Sequence, residues 1–174
     1  NKVRDLFGEA SDVSATDVVL LVRKENPKTK NVSTIDQLTQ TDLLIGTTDP
    51  TKSTLGDLSW QLLEGWGAAD SLKENKSFRT WPTAHELIGA MSVSSKLDVA
   101  MVYAANCQNL PEGEFKTIAI KDPLARAIQN VAVAKESRYP QLTERLIEAI
   151  TSAESKDRFQ KAGFRWKANQ NSNE

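Results

Sequence analysis

The stretch Asp42–Gly56, DLLIGTTDPTKSTLG, leads from an apolar run through a hydroxyl-rich turn into an amphipathic segment. The apolar run is typical of a buried strand, and the spacing of Leu58 and Leu62 predicts a helix after the turn. The first N–H groups of a helix have no acceptor inside it and lie at the positive end of its dipole. The turn therefore predicts an anion site at the helix start, with hydroxyl donors from Ser53 and Thr54. An ordinary capped strand–turn–helix is the alternative that the local pattern leaves open.

Strands and helices alternate along the rest of the chain. Apolar segments predict strands at 17–23, 42–46, 77–81, 98–103, 115–120 and 127–134. Thr83 and Glu86 form a capping-box pair that predicts a helix start, and further helices are predicted from Pro140 and near Glu154. The run DVVLLVR at 17–23 is apolar almost throughout, which favours a strand buried in a parallel sheet. The alternation predicts an α/β fold, with a mainly parallel sheet flanked by helices.

Composition excludes several classes of function. The chain has 174 residues, enough for one domain or two small lobes, and a net charge of -1 argues against a nucleic-acid partner. No apolar run is long enough to cross a bilayer. A single cysteine and a single histidine exclude an intramolecular disulfide and a Cys/His metal cluster. Neither Gly-x-Ser-x-Gly nor His-Glu-x-x-His is present, so we expect a binding protein without cofactor rather than an enzyme.

Three segments, in order, resemble the periplasmic molybdate-binding proteins of ABC importers, within the type II solute-binding-protein family. The first is Gly46–Gly56, with its Asp49-Pro50 turn, and the second is Thr83–Tyr103, which ends in DVAMVY. The third is Ala132–Phe164, which ends in TSAESKDRFQKAGF. The likeness extends from about Asp17 onward and implies a periplasmic-binding-protein-like type II fold.

The resemblance also implies an incomplete two-lobed protein, because neither hydroxyl-bearing turn of the family's first lobe appears. We expect residues 1–16 to be the end of the first lobe or the hinge approach, and 17–134 to be the second-lobe α/β domain with its return strand. Residues 135–166 are expected to form C-terminal helices, and 167–174 a frayed tail. The chain opens at Asn1 without an initiator Met, so we expect a mature protein or a piece of a longer one.

Carried over position by position, the resemblance implies the ligand contacts. Leu55 would offer its backbone amide at the first helix start, and either His85 or Glu86 would do so at the second. Tyr103 would donate its hydroxyl from the carboxyl end of a strand, where open α/β sheets bind ligands. The implied function is an extracytoplasmic, non-catalytic solute-binding domain for a small oxyanion of the molybdate or tungstate type. Its full-length parent would include the missing first lobe and feed an ABC permease.

Two other functions fit the same fold. The chain could be the effector-sensing domain of a transcription regulator, which would require a helix-turn-helix upstream of Asn1. It could also be an interaction module that kept the fold and lost the ligand, which the missing first-lobe turns and the bulky Leu55 would fit.

Overall fold

The structure is a computed structural model that describes residues 4–39, 42–74, 78–94 and 96–168. Ser77 of the third predicted strand and the predicted tail from residue 169 onward lie outside these ranges. The strands are β1 (Ser11–Arg23), β2 (Ile45–Thr48), β3 (Phe78–Trp81), β4 (Val99–Tyr103), β5 (Phe115–Ala119), β6 (Arg126–Val131) and β7 (Arg165–Trp166). The α-helices are α1 (Thr54–Gly65), α2 (Ala69–Glu74), α3 (Ala84–Val93), α4 (Pro140–Ile150) and α5 (Ala153–Lys161). None of the described helices is long and apolar enough to cross a membrane.

The chain divides into two compact units. The central unit comprises residues 17–126, and the terminal unit comprises residues 1–16 and 127–174. The return strand predicted at 127–134 belongs to the terminal unit in this division. β1 contributes its first six residues to the terminal unit and the remainder to the central unit.

The central unit is built on a mixed sheet with the strand order β3-β2-β4-β1-β5. β2 is parallel to both β3 and β4, whereas β1 is antiparallel to both β4 and β5. The predicted α/β fold with a sheet flanked by helices is confirmed, but the parallel orientation predicted for residues 17–23 is wrong. A continuous apolar run indicates that a strand is buried on both faces of the sheet. An interior strand is buried in this way whether it is parallel or antiparallel to its neighbours, so the run does not indicate its direction.

Alternate residues of β1 enter two different apolar clusters. Val18, Leu20 and Val22 pack on the face of the sheet that carries α1, and Val19 and Leu21 pack on the face that carries α3. Burying each large aliphatic side chain stabilises the fold by roughly 1.5–3 kcal/mol. β1 is therefore the centre of the core of the central unit.

A buried carboxylate ties two loops of the central unit to β4. Asp98 is 4% exposed and lies directly before this strand. One of its oxygens accepts from Asn26 Nδ2 at 2.7 Å, and the other accepts from the Leu44 amide at 2.9 Å. The Lys28 ammonium lies 3.6 Å from the second oxygen. These contacts hold the loop after β1 and the start of the β2 segment in place.

The terminal unit has a smaller core. The first half of β1 pairs with β7, placing Ser14 opposite Trp166, and β6 also pairs with β1. The apolar cluster here has three buried members, Val13, Trp166 and Ala168, with Ile150 and Phe159 packed against it. No residue of α4 is fully buried.

Candidate functional site

Three strand ends meet at one edge of the central sheet. Because β2 runs parallel to β3 and β4, their carboxyl ends share this edge, and Thr48 is opposite Trp81 in the register. β4 ends there at Tyr103, opposite Val18 of β1. The Asp49 amide extends the β2–β3 ladder by donating to the Trp81 carbonyl at 2.9 Å. The helices α1 and α3 begin just beyond the ends of β2 and β3, so their amino termini lie at the same edge.

The start of α1 leaves two backbone donors without an acceptor. Ser53 is the N-cap, and its hydroxyl accepts from the Gly56 amide at 2.9 Å. The amides of Thr54 and Leu55 have no hydrogen-bond acceptor in the part of the chain that the structure describes. Thr54 is exposed, whereas Leu55 buries its side chain, which leaves only its backbone to face the edge. This geometry is the ordinary consequence of side-chain capping, which satisfies the third helical amide and leaves the first two.

Most hydroxyls of the turn are already used within it. Thr51 donates both its amide and its hydroxyl to an Asp49 oxygen, at 2.9 and 2.7 Å. The Thr48 and Ser53 hydroxyls lie 2.6 Å apart, and either could be the donor. When Thr48 donates, Ser53 accepts from it and from Gly56 and keeps its own proton free for a ligand. Ser53 is therefore a possible ligand donor in one of the two hydroxyl orientations, with Thr48 as the positioning residue.

Gly56 lets the start of α1 approach β2 closely. A Cβ placed on Gly56 would lie 2.5 Å from the Thr48 carbonyl oxygen and 2.6 Å from the carbonyl carbon and oxygen of Asp49. These atoms are backbone and cannot rotate away. A side chain at this position would therefore displace the amides of Thr54 and Leu55 from the end of β2.

The start of α3 repeats the arrangement. Thr83 is the N-cap, and its hydroxyl accepts from the Glu86 amide at 3.2 Å and donates to the Glu86 carboxylate at 3.1 Å. The amides of Ala84 and His85 have no acceptor among the described residues. Of the two alternatives predicted for this position, His85 has the unoccupied amide, and the Glu86 amide is engaged in the capping box. The His85 side chain is exposed.

Tyr103 joins the two helix starts through a shared apolar cluster. Its ring packs against the same buried cluster as Leu55 and Ala84, which are the second residue of α1 and the first residue of α3. No hydrogen-bond partner for its hydroxyl is found in the described part of the chain. Burial raises the pKa of the Tyr103 phenol above its ordinary value, so the group is a neutral donor at physiological pH.

The charges around the two helix starts are acidic or paired. Hydrogen bonds from Thr51 hold the pKa of Asp49 below its ordinary value, and Lys52 lies 3.3 Å from this carboxylate. Asp57 and Glu86 lie in the first turns of α1 and α3. The residues that the structure describes include no group of three or more acidic, histidine or cysteine side chains able to hold a metal ion. The edge therefore offers neutral donors and helix dipoles, and the described residues place no buried cation at either helix start.

Sequence reasoning missed two features of this edge. It did not identify the free Ala84 amide, and it treated the turn hydroxyls as unoccupied donors. The capping signals were visible in the sequence, because an N-cap at Thr83 already implies that the next two amides are the free ones.

The chain belongs to the family of bacterial extracellular solute-binding proteins, whose model matches residues 2–165. No curated protein matches the chain.

Solved structures of similar fold bind different solutes. The substrate-binding domain of a molybdenum ABC transporter from Clostridium difficile has a TM-score of 0.69 at 20% identity, over 94% of this chain and 68% of that one. The periplasmic molybdate-binding protein of Azotobacter vinelandii has a TM-score of 0.68 at 13% identity, over 90% and 68%. A periplasmic thiamin-binding protein has a TM-score of 0.69 at 14% identity, over 95% and 54%. These similarities establish the fold, and they leave the ligand open.

Proposed function

We propose that this chain forms the second-lobe half of an extracytoplasmic binding site for a small, fully ionised oxyanion of the molybdate or tungstate type. The bound anion would pass from the complete two-lobed protein to an ABC permease, and the chain itself would catalyse no reaction. The observation that carries the proposal is the convergence of two helix starts at one sheet edge, each with two unoccupied amides. The Tyr103 hydroxyl lies at the same edge.

The donor set favours an anion that carries no proton. The free groups at the two helix starts are the amides of Thr54, Leu55, Ala84 and His85, and Tyr103 adds a neutral hydroxyl. A tetrahedral dianion without a proton presents only acceptors, so such donors can satisfy it without a buried counter-charge. Monohydrogen phosphate also carries a proton that needs an acceptor, and the nearby Asp49 carboxylate is already engaged by Thr51 and Lys52. Molybdate, tungstate and sulfate therefore fit these donors better than phosphate.

The first test is calorimetry with molybdate, tungstate, sulfate and phosphate at constant ionic strength, on the full-length parent. Tyr103→Phe removes one hydrogen bond to a charged acceptor, worth about 1.5–3 kcal/mol, which corresponds to a roughly 10- to 100-fold weaker Kd. Trp66→Phe is the control, because it removes an indole N–H that donates to Asp122 at the carboxyl-terminal end of α1, away from the helix start. An absence of heat with every oxyanion would reject the proposal, as would equal effects of the two substitutions.

A second test removes a backbone donor. Thr54→Pro deletes the first free amide of α1, and proline is well tolerated at the first position of a helix. Ser53 has φ -142° and ψ 140°, an extended conformation compatible with a following proline. Thr54→Ala is the control, since it removes the hydroxyl and keeps the amide. We expect Thr54→Pro to weaken oxyanion binding about tenfold relative to Thr54→Ala, the loss of one such hydrogen bond. Equal oxyanion affinities of the two variants would show that the Thr54 amide does not bind the anion.

A further inference from the structure

Two hydroxyl groups are fully buried in the central unit without a protein partner. Thr47, on β2, and Ser59, on α1, are both 0% exposed. Neither side-chain oxygen has a hydrogen-bond partner in the part of the chain that the structure describes. A hydroxyl that leaves water without gaining a new partner lowers stability, and most buried polar side chains in proteins are therefore paired. These two hydroxyls require a partner that the described chain does not supply.

Both hydroxyls lie on the face of the sheet that carries α1. Ile45 packs in the apolar cluster of this face, and Thr47 is two residues further along β2, so it shares the face. A Cβ placed on Gly46, between them, would instead meet Leu87 of α3 on the opposite face. Ser59 is one of the buried residues of α1. The two hydroxyls therefore belong to one interface between a helix and a sheet.

The close contact of α1 with β2 brings the two hydroxyls next to each other. Gly56 is seated so closely that a Cβ placed on it would lie 2.5 Å from the Thr48 carbonyl oxygen. From this contact α1 runs back along the sheet, opposite to β2, because its later residues pack in the same cluster as Ile45. Ser59 is about 4.5 Å along the helix from Gly56, and Thr47 is about 3.3 Å along the strand from Thr48. The two hydroxyls are therefore neighbours across the interface.

We infer that Thr47 and Ser59 bind one buried water molecule that links β2 to α1. A hydroxyl can both donate and accept, and a buried water needs roughly two to four polar partners, so two hydroxyls meet the minimum. Two neutral hydroxyls suit water better than a metal ion, and the described residues contain no acidic, histidine or cysteine cluster that could hold one. The water would hold the first turns of α1 against the sheet. Because it is enclosed in the central unit, its binding does not depend on an oxyanion.

The sign of a change in Tm tests this site in the full-length protein. Thr47→Val keeps the shape of the side chain and leaves both the water and Ser59 short of a partner. We expect Tm to fall by roughly 2–4 °C, the effect of one lost hydrogen bond in a chain of this size. Thr80→Val is the matched control, because Thr80 is opposite Thr47 in the β2–β3 register and is exposed. Removal of an unpaired hydroxyl would have the opposite effect and raise Tm.

A double-mutant cycle tests whether the two hydroxyls share the water. Ser59→Ala changes helix propensity equally in the parent and in Thr47→Val, so the difference between the two backgrounds reports the coupling of the two side chains. In the parent, Ser59→Ala removes a partner of the water. In Thr47→Val it removes a hydroxyl that has already lost its shared partner, so we expect Tm to be several degrees more favourable to the substitution there. The double variant should therefore melt higher than the sum of the single effects predicts.

Three results would overturn the inference. The first is a higher Tm for Thr47→Val relative to Thr80→Val. The second is strict additivity of Thr47→Val and Ser59→Ala, which would show that each hydroxyl is satisfied separately. The third needs no variant: a high-resolution crystal structure of the full-length protein in which the two hydroxyls bond each other directly, with no water density between them. All three are measured without an anion, so calorimetry with molybdate can fail while the water site stands.

Discussion

Replacing Gly56 by alanine tests whether α1 is seated against β2 as closely as the structure indicates. The new Cβ would lie 2.5 Å from the Thr48 carbonyl oxygen, about 0.9 Å short of the 3.4 Å where ordinary contact begins. Relieving this overlap requires a shift of the helix start, and overpacking of this kind costs about 1–3 kcal/mol. The higher helix propensity of alanine offsets up to about 1 kcal/mol of this loss of stability. With the full helix-propensity gain subtracted, we expect a net loss of up to about 2 kcal/mol in the free energy of unfolding.

At a second helical glycine we expect the same substitution to raise the free energy of unfolding. Gly89 lies within α3, and a Cβ there would meet no atom within 4 Å. Gly89→Ala should gain about 0.5–1 kcal/mol from helix propensity alone. In a chain of this size 1 kcal/mol corresponds to about 2–4 °C in Tm, so the two variants should melt several degrees apart.

Urea and thermal unfolding followed by circular dichroism would measure both variants beside the parent. The shift in Gly56→Ala also moves the Thr54 and Leu55 amides, so its oxyanion affinity should fall even where the variant is fully folded. Two variants that both melt above the parent would refute the close seating of α1. A Gly56→Ala variant that melts at a lower temperature than the parent but keeps its oxyanion affinity would show that anion binding does not depend on the close contact of α1 with β2.

Two further predictions concern the central unit. Asp98→Ala should lower the free energy of unfolding by about 1–3 kcal/mol in urea titrations, because the half-buried Leu44 amide loses its acceptor. The substitution Asp57→Ala, at an exposed position, should cost less than about 1 kcal/mol. Burial raises the pKa of the Cys107 thiol from 9.0 to about 11, so at pH 8 iodoacetamide should alkylate it roughly 100-fold more slowly than in the urea-unfolded chain. Because the folded thiol keeps its proton while the unfolded thiol loses it, Cys107 lowers stability as pH rises from 9 to 11. Cys107→Ala should lack this part of the pH dependence, and equal alkylation rates in the folded and unfolded chains would contradict the burial of the thiol.

Local chemistry made much of the candidate site predictable. The capping residues Ser53 and Thr83 place both helix starts, and the position of an N-cap determines which amides stay free. Applied fully, this rule selects His85 over Glu86 without a structure. The apolar strand before Tyr103 likewise predicts that its hydroxyl lies at the end of a buried strand. These features depend on neighbours in the chain, so the sequence contains them.

The tertiary structure decided what depends on distant segments. The sequence determined most of the strands and the starts of four helices, because period and capping act over a few residues. It did not predict α2, β7 or the first six residues of β1. It could not determine that β1 is antiparallel, since a run buried on both faces reads the same in either direction. Nor could it show that the Thr48 carbonyl leaves no room for a side chain at Gly56. The leucines of α4 follow a core-facing pattern, yet Leu142 and Leu146 are exposed, because burial requires a partner surface as well as a pattern.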